Sequence, residues 1–141
     1  MTDEVREVSE GAGWAAANVD ALADGPGFRK VRRALGVTAF GVNAMELPAG
    51  IETGRHFHDE QEELYFVHRG RLEFVFGEDD EESVLLGPGG FVRVDASTVR
   101  RISNVGDEPA VYVIAGGKDG YVGRDGRQPE GEDGRVREIG S

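Results

Sequence analysis

Residues 50–70 read Gly50-Ile51-Glu52-Thr53-Gly54-Arg55-His56-Phe57-His58-Asp59-Glu60-Gln61-Glu62-Glu63-Leu64-Tyr65-Phe66-Val67-His68-Arg69-Gly70, and all three histidines of the chain fall within them. On an extended strand, side chains two residues apart project from the same face, so His56 and His58 can grip one ion. The polar run Asp59-Glu60-Gln61-Glu62 is long enough to turn the chain, and Glu63 then opens a following strand as a third donor. Two imidazoles and one carboxylate leave positions open for substrate, water or dioxygen. Such a set suits Fe, Mn, Ni, Co or Zn better than Ca or Mg, which prefer all-oxygen shells. Tyr65 shares the Glu63 face and is placed to line a cavity and touch a ligand. His68 lies an odd number of positions from Glu63, which directs it to the opposite face as a surface residue.

Outward from this block, the sequence consists of short apolar runs separated by Gly, Pro and acidic clusters, the pattern of successive antiparallel strands. Strands are predicted over residues 28–33, 37–47, 51–58, 63–68, 71–76, 83–86, 91–94, 98–104 and 110–115, an all-β set that needs a sandwich or barrel. The period-two pattern is cleanest in 71–76, where Leu72, Phe74 and Phe76 share one face and Arg71 and Glu73 the other. In 63–68 both faces carry apolar side chains, so a dimer interface or the N-terminal arm is expected to cover the second. Glu78-Asp79-Asp80-Glu81-Glu82 reads as a solvated hairpin loop, because five adjacent like charges resist burial. The one helical pattern is N-terminal. Trp14, Ala17, Ala21 and Leu22 fall at i, i+3, i+7 and i+8 before Gly25-Pro26-Gly27, and no second helical pattern is found before residue 117. Beyond Gly116, Tyr121, Val122, Val136 and Ile139 are sparse among Gly and charge, which predicts an irregular tail along the surface.

The 141 residues most simply make one domain. Their 27 acidic and 16 basic residues give a net charge of −11, a field that repels nucleic acid and anionic lipid. The absence of Cys removes disulfides, thiolate ligands and Cys nucleophiles together. No apolar segment approaches the roughly 20 residues of a membrane span. A soluble, cytoplasmic protein without nucleic-acid or membrane partners is expected. A hydrolase triad fails because Ser83, Ser97 and Ser103 lack a nucleophile-elbow context and no His remains outside the first block. Gly87-Pro88-Gly89-Gly90 has no following helix or Lys, and reads as a tight turn rather than a phosphate loop.

The spacing of Gly50, His56, His58, Glu63 and Gly70 resembles the first motif of the cupin superfamily at every fixed position, and the resemblance extends over about residues 37–115. It implies a double-stranded β-helix or jelly-roll barrel over residues 37–116, with the cavity in its mouth and the metal on its inner wall. Residues 1–36 would form an arm with a short helix, and 117–141 the tail. The family's second motif is Gly, five residues, Pro-x-Gly, two residues, His, three residues, Asn. Here Gly89 and Asn104 keep their places, Asp95 and Ser97 replace Pro and Gly, and Arg100 stands where the fourth metal ligand belongs. A guanidinium has no lone pair to offer and repels a cation. Three readings therefore stand open: a three-ligand metal site on His56, His58 and Glu63, with oxygenase or isomerase chemistry and Arg100 anchoring an anionic substrate; a metal-free pocket in which Arg100 pairs with Glu63 or an anionic ligand; and a filled barrel acting only through its surface. The expected partners are a small-molecule ligand and, in a homodimer, a second copy.

Overall fold

The computed structural model describes residues 2–141. In chain order the strands are β1 (Ser9–Gly11), β2 (Trp14–Ala16), β3 (Gly27–Arg29), β4 (Gly41–Leu47), β5 (Ile51–Glu52), β6 (Phe57–His58), β7 (Glu62–Arg69), β8 (Leu72–Phe76), β9 (Glu82–Leu86), β10 (Phe91–Val94), β11 (Arg100–Asn104), β12 (Ala110–Gly117), β13 (Gly126–Arg127) and β14 (Arg137–Glu138). One helix, α1 (Val31–Leu35), lies between β3 and β4. Two five-stranded sheets carry the fold, in the orders β10-β7-β12-β4-β3 and β14-β5-β11-β8-β9, with β6 and β13 forming a separate pair. Every pairing is antiparallel. This is the jelly-roll arrangement the sequence resemblance implies.

Alternation of side chains decides what each sheet buries. On β7, Glu63, Tyr65 and Val67 point inward, while His68 and Leu64 are exposed. On β8, Leu72 and Phe74 enter the core and Phe76 packs against it. Leu47, Val67, Ile102 and Tyr112 close the same cluster from their own strands. Full burial of a side chain such as Phe74, which is 0% exposed, contributes about 2–3 kcal/mol relative to leaving it in water. Among the described residues no layer covers the outer face of β7 and β10: Leu64 and Phe91 are exposed there, and Phe66 packs on Phe91 with ring centroids 4.7 Å apart. Buried Asn104 fixes the β11–β12 turn, its Nδ2 donating to the carbonyls of Leu47 and Glu108 and its Oδ1 accepting from Gly106 N–H.

Four expectations need correction. Trp14 opens no helix: β2 pairs with β1 across a turn at Gly13 (φ 84°), and a 3-10 turn over Val19–Ala21, capped by the Asn18 side chain, follows. A pattern with two large apolar residues buries too little to offset the cost of nucleating a helix, and Gly11 and Gly13 favour a hairpin. The strand expected over 28–33 ends at Arg29. Residues 31–35 turn into α1, which is closed by Gly36 in the left-handed conformation. The strand expected over 51–58 breaks into β5 and β6, and between them His56 keeps a single antiparallel bridge with Arg100. The acidic run is the expected exposed β8–β9 hairpin loop, and within it the Asp80 carboxylate binds Arg55 and Arg101 at the surface. The tail returns to the barrel, with β13 pairing with β6 and β14 with β5.

Candidate metal centre

His56 is held by its backbone bridge to Arg100, and β6 presents His58 two residues later on the same side. Glu63 enters from β7. The ligand atoms of the three lie within 4.8 Å of one another. His58 Nε2 is 3.1 Å and His56 Nε2 3.9 Å from Glu63 Oε1. The imidazole rings meet edge to face, with centroids 5.2 Å apart.

Asp125 gives this group its direction. Its carboxylate accepts from the backbone N–H groups of Glu60 and Gln61, from Gln61 Nε2, and from His58 Nδ1 at 2.7 Å. A proton on Nδ1 leaves the lone pair of His58 on Nε2. That nitrogen is buried and without a hydrogen-bond partner, although it faces Glu63. A lone pair and a carboxylate directed at one point can hold a cation between them, and a carboxylate behind the His is the common support of such a ligand. The donor set therefore fits a divalent transition metal.

The neighbouring groups reinforce the charge state this requires. Burial works to raise the Glu63 carboxyl, but His56, His58 and the Tyr65 hydroxyl outweigh it and hold Glu63 far below the usual carboxylate range. Tyr65 donates to Glu63 Oε1 at 2.6 Å. Burial, with the Glu63 charge added, pushes the phenol well above its ordinary value. Asp125 is also held far below the usual range, because the Gln61 side chain and the two backbone N–H groups offset its desolvation. Burial lowers His58, but the Glu63 carboxylate facing it, together with the Asp125 hydrogen bond, reverses that and raises it.

The four sequence-predicted site residues on β6, β7 and the bridge between β5 and β6, namely His56, His58, Glu63 and Tyr65, line one cavity of about 510 Å³. Arg100 is not with them on its wall. The side chain is 0% exposed and stands behind the centre, its Nη2 3.7 Å from Glu63 Oε1 and donating to the Asp95 carbonyl at 3.3 Å. Its Nε has no partner. This is a charge beside Glu63 rather than a bidentate pair. Sequence reasoning did not single out Asp125, which looks like any other acidic residue of a Gly-rich tail. The cue, legible only in hindsight, is the polar stretch 123–128 beyond the last long strand.

Among curated proteins none matches at a significant level. The cupin domain family matches residues 43–116. Among solved structures, a cupin protein from Bacteroides fragilis is 24% identical, with a TM-score of 0.61, over 79% of this chain and 90% of its own. A sugar phosphate isomerase from Silicibacter pomeroyi is 28% identical, with a TM-score of 0.59, over 82% of this chain and 71% of its own. A DMSP lyase from Ruegeria pomeroyi is 24% identical, with a TM-score of 0.56, over 67% of this chain. This chain spans less than half of that lyase, 46%. Sheet order, the paired His56 and His58 and a family match over more than half of the sequence agree, and the chain belongs to the cupin family.

Proposed function

We propose that this cupin is a metal-dependent enzyme acting on a small molecule, with His56, His58 and Glu63 as ligands of one divalent transition metal and proton transfer, as in an isomerisation, as its chemistry. The observation that carries the reading is His58 Nε2, buried, unpartnered, fixed as a lone-pair donor by Asp125 and aimed at Glu63. When bound, the metal supplies a Lewis acid that polarises a substrate oxygen. The chain's own residues do the rest. Tyr65 keeps its proton and donates it in a hydrogen bond to Glu63 Oε1, which fixes the orientation of that carboxylate at the cavity wall. Glu63 stays ionised beside it, and the barrel side chains around Tyr65 and Tyr112 exclude water from the inner end.

The metal-free alternative asks Arg100 to neutralise Glu63. Its support is weaker, since the 3.7 Å separation includes no hydrogen bond and the guanidinium turns to backbone carbonyls. Elemental analysis of untagged protein reconstituted with Mn, Fe, Co, Ni or Zn decides between them. About one metal per chain is expected, with loss of at least about a hundredfold in affinity in His58→Ala, which removes a metal ligand outright. Wild type that takes up no metal after reconstitution overturns the proposal in favour of the metal-free pocket.

A further inference from the structure

The cavity that holds His56, His58 and Glu63 is also lined by Lys30, Arg32, Arg33 and Arg124. Lys30 caps the start of α1 and Arg32 and Arg33 lie within it, while Arg124 stands next to Asp125 in the tail. None has a carboxylate within 4.0 Å, whereas Arg29, in the same segment, is paired with Glu46. Outside the cavity, only Arg6, Arg71 and Lys118 share that unpaired state among the described residues. In a chain of net charge −11, acidic partners are abundant, so four free cations around one opening mark a place where negative charge is missing. The two carboxylates that line the cavity do not supply it: Glu63 is engaged by Tyr65 and the histidines, and Asp125 by His58, Gln61 and Glu60. Arg32 is held over the Tyr121 ring at 4.2 Å, which keeps its guanidinium at the cavity wall without neutralising it.

We infer that Lys30, Arg32, Arg33 and Arg124 form the binding site for a phosphate monoester, the anionic end of the substrate whose other end reaches the metal centre. The inference rests on the proposed function for that other end alone. A phosphate monoester carries about 1.5 to 2 negative charges at neutral pH and three terminal oxygens. It matches several guanidinium forks at once, which a single carboxylate does not. A cavity of about 510 Å³ has the size of small-metabolite sites. Polar walls at Asn43, Gln61 and Gln128 suit a hydroxylated body between the two ends. Arg100, the cation that sequence reading singles out for an anion, is wholly buried behind Glu63 and takes no part.

Calorimetric titration of the full-length protein, with and without added Zn, tests this with methyl phosphate, methyl sulfate and malonate as probes. Methyl phosphate is expected to bind in both metal states, at least about tenfold more tightly than methyl sulfate or malonate. The double variant Arg33→Ala/Arg124→Ala, both exposed side chains, should weaken it about tenfold or more, because each lost contact is a charge-assisted hydrogen bond. Arg71→Ala, equally unpaired but outside the cavity, should leave it unchanged. Wild-type affinity in the double variant, or malonate bound as tightly as methyl phosphate, overturns the assignment. The two readings fail separately. Protein that binds methyl phosphate but no metal removes only the metal centre, and protein that binds metal but not methyl phosphate removes only the phosphate site.

Discussion

His58 carries the centre because both of its ring nitrogens are assigned: Nδ1 donates to Asp125 and Nε2 is left for a cation. Asp125→Asn keeps the size of the side chain but loses the acceptor charge, and an amide can turn its NH2 toward Nδ1 and release the tautomer. Metal affinity, measured by competition with a chelator, is expected to fall about 10- to 100-fold, as for other supports of a ligating His, with the fold retained. Unchanged affinity would show that Asp125 only pins the tail. Arg100 is the other residue that departs from its family's pattern. Its position in the second motif is readable from sequence, but its orientation is not. Spacing places its backbone beside His56, whereas the packing beneath β6 directs the guanidinium to the Asp95 and Ala96 carbonyls.

At the scale of elements, the β7–β8 turn shows how a motif glycine works. Gly70 has φ 92°, in the left-handed region, and a Cβ there would meet Ala110 Cβ at 2.6 Å and its Cα at 2.8 Å. Ala110 opens β12 and is 0% exposed, so it has no room to yield. Gly70→Ala is expected to cost about 2–3 kcal/mol from conformational strain and overpacking together, read as a lower urea midpoint with an unchanged slope. The tail behaves as an element of the site rather than a strap beside it. Glu52, buried on β5, accepts from Ser103 Oγ at 3.1 Å, from Arg137 Nε at 3.3 Å and from Arg101. Arg137 and Arg55 in turn bind Glu132, and a Cβ on Gly54 would strike the Gly134 backbone at 2.6 Å. The strands of the barrel were legible because alternation is a local property. The N-terminal hairpin, the break at 53–56 and the seating of the tail were not, because each depends on partners distant in sequence.

For the molecule as a whole, the titrating groups set opposing trends. Arg137 holds Glu132 below its ordinary value, and Arg55 and Arg101 do the same for Asp80 against the effect of burial. Depressed carboxyls contribute stability that is complete above their unfolded values of about 4 and disappears as pH falls through the folded ones. His58 is raised, so its contribution is complete below about 6.5 and is lost as pH climbs through the higher folded value. Metal-free protein is therefore expected to be most stable between about pH 5 and 6, with urea midpoints falling on both sides. Metal affinity should rise over pH 6–8, because binding needs His58 without its second proton. A metal-free profile that is flat from pH 3 to 8 contradicts this linkage. Among the described residues no helix is long and apolar enough to cross a membrane.

The sequence by itself determined the all-β barrel and the donor set His56, His58 and Glu63, because two-residue alternation fixes which side chains share a face wherever the strands end up. Set against the cupin second motif, it also places a cation, Arg100, where the family's fourth ligand stands. The tertiary structure alone decided that Asp125 orients His58 across 67 positions, that Arg100 stays off the cavity wall, and that Lys30, Arg32, Arg33 and Arg124 line the same cavity as the histidines. Those contacts come from how α1 and the tail pack onto the sheets. That packing is the sum of many weak burial and ion-pair terms, and no short stretch of sequence carries it.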